Sequence, residues 1–196
     1  MRQLEVATRS IVLVGLMGAG KTCIGRLLAR KLNIPFADSD EEVVKAAAQP
    51  IADIFRVYGE AAFRDCERRI IKRLLNGEAK VLASGGGAFL DQQTRSQIRA
   101  RGTSIWLRAD LDLLLARTTG RPGRPLLETA DPRAVLQALM VERYPIYAEA
   151  DIVVDTTNEE KAVTVERIMS ALDAAGALPA AAPALAASKA GRAGQR

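Results

Sequence analysis

Apolar positions along this 196-residue chain follow two alternating periods. Short apolar or β-branched runs occur at Ser10–Val14, Pro35–Asp38, Lys80–Ala83, Thr103–Leu107 and Ile152–Val154. Each is short and is bounded by Gly, Pro or a polar cluster, which predicts five strands. Between them the apolar residues recur at helical spacing. One helix is expected to run through Ile24 to Leu32, a second from Asp40 to about Ala48, and a short piece from Ile51 to Tyr58. A longer helix then starts at Gly59-Glu60, with Phe63, Cys66, Ile70, Ile71 and Leu74 on one stripe. Leu90 to Ala100 is polar and helical, and Asp110 to Arg117 turns Leu111, Leu114 and Leu115 inward. Asp131-Pro132 is an N-cap and N1 pair for a helix running through Leu136 and Met140 past Arg143. Val165, Ile168, Met169 and Leu172 stripe the last helix. Strands alternating with helices predict an α/β fold with a parallel, doubly wound sheet.

The breaks in this pattern divide the chain. Residues 1–9 read as a flexible extension, 10–176 as one folded domain, and 177–196, rich in Ala and Pro, as a disordered tail. Inside the domain, Thr118 to Glu128 follows no period and carries arginines beside proline and glycine, which suggests a mobile cationic lid. The polar N-terminus shows no signal-peptide core, and no apolar run has the length of a membrane span, so a cytoplasmic protein is expected.

Charge changes the picture little. The formal net charge is +5, but the tail after Asp173 carries three cations and no acid, and the first ten residues add one net positive charge. The body is left nearly neutral, which argues against a nucleic-acid-binding face. The two cysteines, Cys23 and Cys66, are too few for a disulfide framework and are expected as buried or half-buried free thiols. Histidine is absent, so any catalysis proceeds without imidazole.

The chemistry concentrates where the first strand ends. Gly15-Leu16-Met17-Gly18-Ala19-Gly20-Lys21-Thr22 reads G-x-x-x-x-G-K-T between a strand and a helix, the context that a phosphate-binding P-loop requires. Its backbone N–H groups, from Gly18, Ala19, Gly20, Lys21, Thr22 and Cys23, form an anion nest at a helix N-terminus. Lys21 reaches the β- and γ-phosphates and Thr22 supplies a hydroxyl for Mg²⁺. The second strand delivers Asp38-Ser39-Asp40 to the sheet edge where ligands bind in such folds. Taken alone, Asp40 reads equally well as helix capping, and Arg64 with Glu67 as an ordinary i, i+3 surface pair. Gly85-Gly86-Gly87 directly after the third strand permits a close approach of backbone to a ligand.

These motifs stand in a fixed order, joined by Phe63-Arg64, Arg124-Pro125-Leu126-Leu127 and Arg143-x-Pro145-x-Tyr147. Over roughly residues 8–175 the set resembles shikimate kinase. The resemblance implies the nucleoside-monophosphate-kinase-like P-loop fold, a five-stranded parallel sheet in order 2-3-1-4-5 with helices on both faces. It implies ATP and shikimate as substrates, Mg²⁺ as cofactor, phosphorylation of the 3-hydroxyl, and a monomer. By the same resemblance Thr22 and Asp38 hold Mg²⁺, and Asp40 accepts from shikimate hydroxyls and is the carboxylate to nominate as a base. Arg64 and Arg143 clamp the shikimate carboxylate with Glu67 orienting them, and the Gly86 backbone touches substrate. Arg117 stacks on adenine, and Arg124 is the lid arginine that reaches the phosphates alongside Lys21. Thr157 to Glu160 matches no motif and is assigned nothing. Three alternatives are weighed: another small-molecule kinase of this fold such as gluconate kinase, a nucleotide-binding regulatory module without transferase activity, and a nucleic-acid binder.

Overall fold

In a computed structural model of the chain, residues 9–119 and 130–178 are described. The strands are β1 (Ser10–Val14), β2 (Phe36–Asp38), β3 (Val81–Ala83), β4 (Gly102–Arg108) and β5 (Ile152–Asp155). The helices are α1 (Lys21–Leu32), α2 (Ser39–Ala47), α3 (Ile51–Leu75), α4 (Gln92–Arg101), α5 (Leu111–Thr118), α6 (Pro132–Tyr147) and α7 (Lys161–Ala174), with a 3₁₀ turn at Ala88–Leu90.

The strands form one all-parallel sheet in the order β2-β3-β1-β4-β5. β1 is the central strand and is wholly buried, as an uninterrupted apolar run in a parallel sheet requires. Right-handed crossovers in this strand order put α1 on one face and the helices from α2 to α6 on the other, and α7, after the last strand, packs with α1. The packing of α1 on α7, α3 on α4 and α5 on α6 follows that division. Because every strand points the same way, the segments after β1, β2 and β3 all emerge at one edge.

Several local features match their chemistry. Asp38 caps α2 by accepting from the Asp40 N–H at 3.0 Å, and Asp131 caps α6 by accepting from the Ala134 N–H at 3.0 Å with Pro132 at the first helical position. The helix from Ile51 bends at Gly59, whose φ of 79° and ψ of 172° are non-helical, so the expected division at that glycine is real although the two pieces run on as one element. Lys80 lies just before β3 rather than in it, while its carbonyl still accepts from Ile11 N–H at 2.9 Å. β4 and β5 extend to Arg108 and Asp155, one pair further than their apolar runs, because those two side chains bond across the strands at 2.5 and 2.8 Å.

One expectation is extended and one corrected. On α5 Leu114 is buried and Leu111 and Leu115 are half-buried against the core, as expected, and Leu113 is buried as well, in a helix that also packs on α6. Cys23 is exposed rather than buried, since it lies on the outward side of the first turn of α1, whereas Cys66 is half-buried. Most of the expected lid and the tail, with Arg124, lie outside the described residues, as do residues 1–8. Arg9, assigned to the extension, donates to the Arg99 carbonyl at 2.7 Å and to the Gly102 carbonyl at 2.5 Å.

Gly25 shows how tightly α1 rests on the sheet. A Cβ there would stand 2.7 Å from the Phe36 ring and 3.2 Å from Leu13 Cδ1. Gly25→Val therefore overpacks this contact and should cost about 1–3 kcal/mol. A urea midpoint that falls with an unchanged m value is the expected result.

Candidate active site

Three loops at the sheet edge build the site, and the first follows β1. Gly15, Gly18 and Gly20 have φ of 135°, 84° and 98°, the left-handed region in which side chains are strained. Space forbids side chains there as well: a Cβ on Gly15 would meet the Leu107 carbonyl at 2.8 Å, and one on Gly18 the Thr118 methyl at 2.9 Å. The loop thus folds over the end of β4 and α5 before α1 begins at Lys21. Lys21 Nζ arches back over it and donates to the carbonyls of Gly15 at 2.7 Å and Leu16 at 3.0 Å. Its ammonium therefore stands over the mouth of the loop.

The second loop follows β2. Thr22 Oγ1 donates to Asp38 Oδ2 at 2.8 Å, which brings together the two oxygen side chains that the resemblance assigns to Mg²⁺. Among the described residues no three His, Cys, Asp or Glu side chains converge. A hard cation that keeps several waters and takes phosphate oxygens needs no more than such a hydroxyl–carboxylate pair from the protein. These residues fit Mg²⁺.

The third loop follows β3 and is the glycine triplet. Gly85 N–H donates to the buried Ser39 Oγ at 2.8 Å, which joins the third loop to the second. A Cβ on Gly85 would lie 2.5 Å from Glu67 Oε1 and 2.7 Å from Asp40 Oδ1; one on Gly87 would lie 2.5 Å from both Nη atoms of Arg64. Asp40, Glu67 and Arg64 are therefore gathered around bare backbone. Gly86 has more room, with the Gly15 carbonyl 3.8 Å and the Met17 N–H 3.9 Å from its would-be Cβ, so it is the point where the triplet meets the P-loop. A hollow of about 450 Å³ lined by Asp40, Glu41, Val44, Lys45 and Ile51 opens beside these groups.

Arg64 donates to Glu67 Oε2 at 2.9 Å and to Glu60 Oε1 at 3.3 and 3.2 Å. The i, i+3 pair is no surface ornament, because Glu67 is 3% exposed and its buried Oε1 has no hydrogen-bond partner among the described residues. Burial pushes the Glu67 carboxyl up from its ordinary pKa, against the Arg64 hydrogen bond that pulls it down. Burial likewise pushes Asp40 up, and the neighbouring Asp38 charge adds to that, with Lys21 and Arg64 opposing. The side chain of Arg143, from α6, is 12% exposed, and its buried Nε has no hydrogen-bond partner among the described residues.

At the far side of the P-loop, Arg117 donates to the Thr157 carbonyl at 2.7 Å and to the Gly18 carbonyl at 3.4 Å. It thereby joins the loop after β5, left unassigned on sequence, to the phosphate-binding loop. Three further contacts escape sequence reading, since Ser39, Tyr147 and Thr118 lie within segments that the sequence singles out but carry no role of their own there. Ser39 accepts from Gly85, Tyr147 donates to the Gly86 carbonyl, and Thr118 fills the space under Gly18.

A parallel sheet in this order, with a glycine-rich loop, its lysine and a Thr–Asp pair at the same edge, defines a P-loop kinase of the nucleoside-monophosphate-kinase-like class. Solved structures agree: shikimate kinase from Acinetobacter baumannii in complex with shikimate superposes with a TM-score of 0.82 at 35% identity, over 86% of this chain and 94% of that one. The Aquifex aeolicus shikimate kinase gives 0.72 at 35% identity, over 85% and 98%. The shikimate kinase family model matches residues 17–173, and the chain belongs to that family. The shikimate kinase of Paramagnetospirillum magneticum is 58% identical over 164 residues, 84% of each chain, and that of Mesorhizobium japonicum 50% identical over 168 residues, 86% and 83%. A gluconokinase from Sinorhizobium meliloti, at 22% identity and a TM-score of 0.54, shares the fold alone.

The upward shift of Asp40 has a stability consequence of definite sign. A carboxyl whose folded pKa lies above its unfolded value stabilises the fold only while protonated, and that contribution is lost as pH rises past the ordinary carboxyl value. Asp40→Asn removes the loss. The variant's stability relative to the parent should rise between about pH 4 and about pH 7, read from urea midpoints at both pH values. A difference that stayed constant would mean that Asp40 carries no burial strain.

Proposed function

We propose that the chain transfers the γ-phosphoryl group of ATP to the 3-hydroxyl of shikimate. The observation that carries this reading is the convergence of Asp40, Arg64 and Glu67 on the glycine triplet at the same sheet edge as the P-loop. A small carboxylate bearing hydroxyls needs a cation fork at one end and an oxygen acceptor at the other, and this loop supports both.

Arg64 and Arg143 hold the substrate carboxylate, where a planar guanidinium gives paired hydrogen bonds that an ammonium cannot. Glu67 keeps Arg64 in its rotamer. Asp40 accepts from the ring hydroxyls and points the 3-hydroxyl at the γ-phosphorus. The P-loop N–H groups from Gly18 to Cys23 cradle the phosphates with Lys21, and the Gly86 backbone lines the acceptor side. Arg117 lies at the adenine end, and Arg124 keeps the phosphate-binding role that the family resemblance implies. Thr22 and Asp38 hold Mg²⁺, which when bound neutralises charge on the phosphate oxygens.

In the reaction the 3-hydroxyl oxygen forms a bond to the γ-phosphorus while the bond from that phosphorus to the β,γ-bridging oxygen breaks, and ADP leaves. The hydroxyl proton passes to Asp40, whose raised pKa brings it closer to the operating range of a base. The transition state is loose, so positioning and charge stabilisation outweigh basicity.

A coupled ADP-release assay tests the reading. Shikimate should raise the rate far above the ATP-only background, whereas gluconate and nucleoside monophosphates should not; stimulation by one of those instead would refute it. Arg64→Ala removes a charge-assisted contact that contributes about 1.5–3 kcal/mol. Shikimate should then bind roughly tenfold to hundredfold more weakly in isothermal titration, with ATP affinity unchanged, and Arg64→Lys should recover only part of the loss.

A further inference from the structure

Tyr147 stands one turn after Arg143 on α6, and its side chain is fully out of solvent. Its ring lies 6.5 Å from that of Phe89 and 6.0 Å from that of Trp106, so it is wedged between the 3₁₀ turn after the glycine triplet and the strand beneath the P-loop. A buried phenol must satisfy its hydroxyl. Here both neighbours belong to the site: the O–H donates to the Gly86 carbonyl, and the Arg143 guanidinium, one turn back on α6, lies near enough to act on the phenol electrostatically. One hydroxyl can serve both, since it has one proton to give and two lone pairs.

We propose that Tyr147 is a positioning residue for the acceptor substrate, tying Arg143 and the Gly86 backbone into one rigid jaw. The inference rests on the shikimate reading above. Arg143 needs such an anchor. Among the described residues its Nε has no hydrogen-bond partner, and the Glu142 carboxylate is 3.9 Å away, beyond hydrogen-bond reach. The helix holds this turn weakly as well, because Pro145, midway between Arg143 and Tyr147, has no N–H to donate to the Val141 carbonyl. Tyr147 is the buried polar group that stands between Arg143 and the Gly86 backbone. Burial pushes the phenol up to a pKa of about 12, so its proton stays in place throughout the working range.

The test compares the full-length parent with Tyr147→Phe, which keeps the ring and loses only the hydroxyl. Removing an interaction made equally in ground and transition states raises KM and leaves kcat nearly alone. The KM for shikimate should rise about tenfold, with kcat and the KM for ATP each changing less than about threefold. A purely structural role would lower the melting temperature and leave the shikimate KM at the parent value, which overturns the inference. A double-mutant cycle adds a second criterion. If Tyr147 acts through Arg143, the losses of Tyr147→Phe and Arg143→Ala in shikimate affinity fail to add; full additivity refutes the link. Tyr147→Met, which fills the volume without a hydroxyl, gives the same readouts should the Phe variant not fold. A parent that turns over shikimate beside an indifferent variant sinks this inference alone. A parent inactive on shikimate sinks the functional reading and this inference together.

Discussion

The acceptor half of the site is built on the fact that nothing larger than hydrogen fits on Gly85 or Gly87. Asp40 and Glu67 pack against one and the Arg64 guanidinium against the other, at separations a methyl group would occupy. Such contacts fix charged groups against peptide backbone, which cannot change rotamer. The triplet is itself held on three sides, by Ser39 from the second loop, by Tyr147 from α6 and by its hydrogen-bonded strand β3. Removing the bare backbone would separate the carboxylates from the arginine.

This gathering of charge is costly. Asp40 and Glu67 are both raised by burial, and each also feels a neighbouring carboxylate. Glu67 leaves one oxygen with no partner among the described residues. Buried ionic groups of this kind rarely add to stability compared with apolar packing. Their persistence makes sense if a ligand supplies the missing donors, which a polyhydroxylated carboxylate does. The site thus trades stability for a polar cavity poised for a polar guest.

The nucleotide half is organised differently. There the constraint is conformational: glycines in left-handed backbone fold the loop over the ends of β4 and α5, and Lys21 stitches it to its own carbonyls. Arg117 links this loop to the segment after β5 through the Gly18 and Thr157 carbonyls. Both halves meet where Gly86 faces Gly15 and Met17.

The strand–helix alternation, the parallel sheet and the P-loop were legible in the chain because each depends on local periodicity or on contiguous residues. Asp131-Pro132 and the break at Gly59 were legible for the same reason: a cap and a left-handed glycine act within one turn. Read by itself, however, Arg64 with Glu67 is an exposed helix pair, and Asp40 is a cap residue. Only the crossover that carries β3 beside β2 sets Gly85 between them and buries Glu67. Tyr147 closes the Arg143-x-Pro145-x-Tyr147 motif without a role of its own until the fold places it under Gly86, 61 residues away in sequence. Ser39 and Thr157 gain their partners in the same way. Local chemistry specified which segments bind phosphate and where strands and helices run. Which charges are buried, and against what, was decided by tertiary structure, because desolvation depends on neighbours that no stretch of sequence contains.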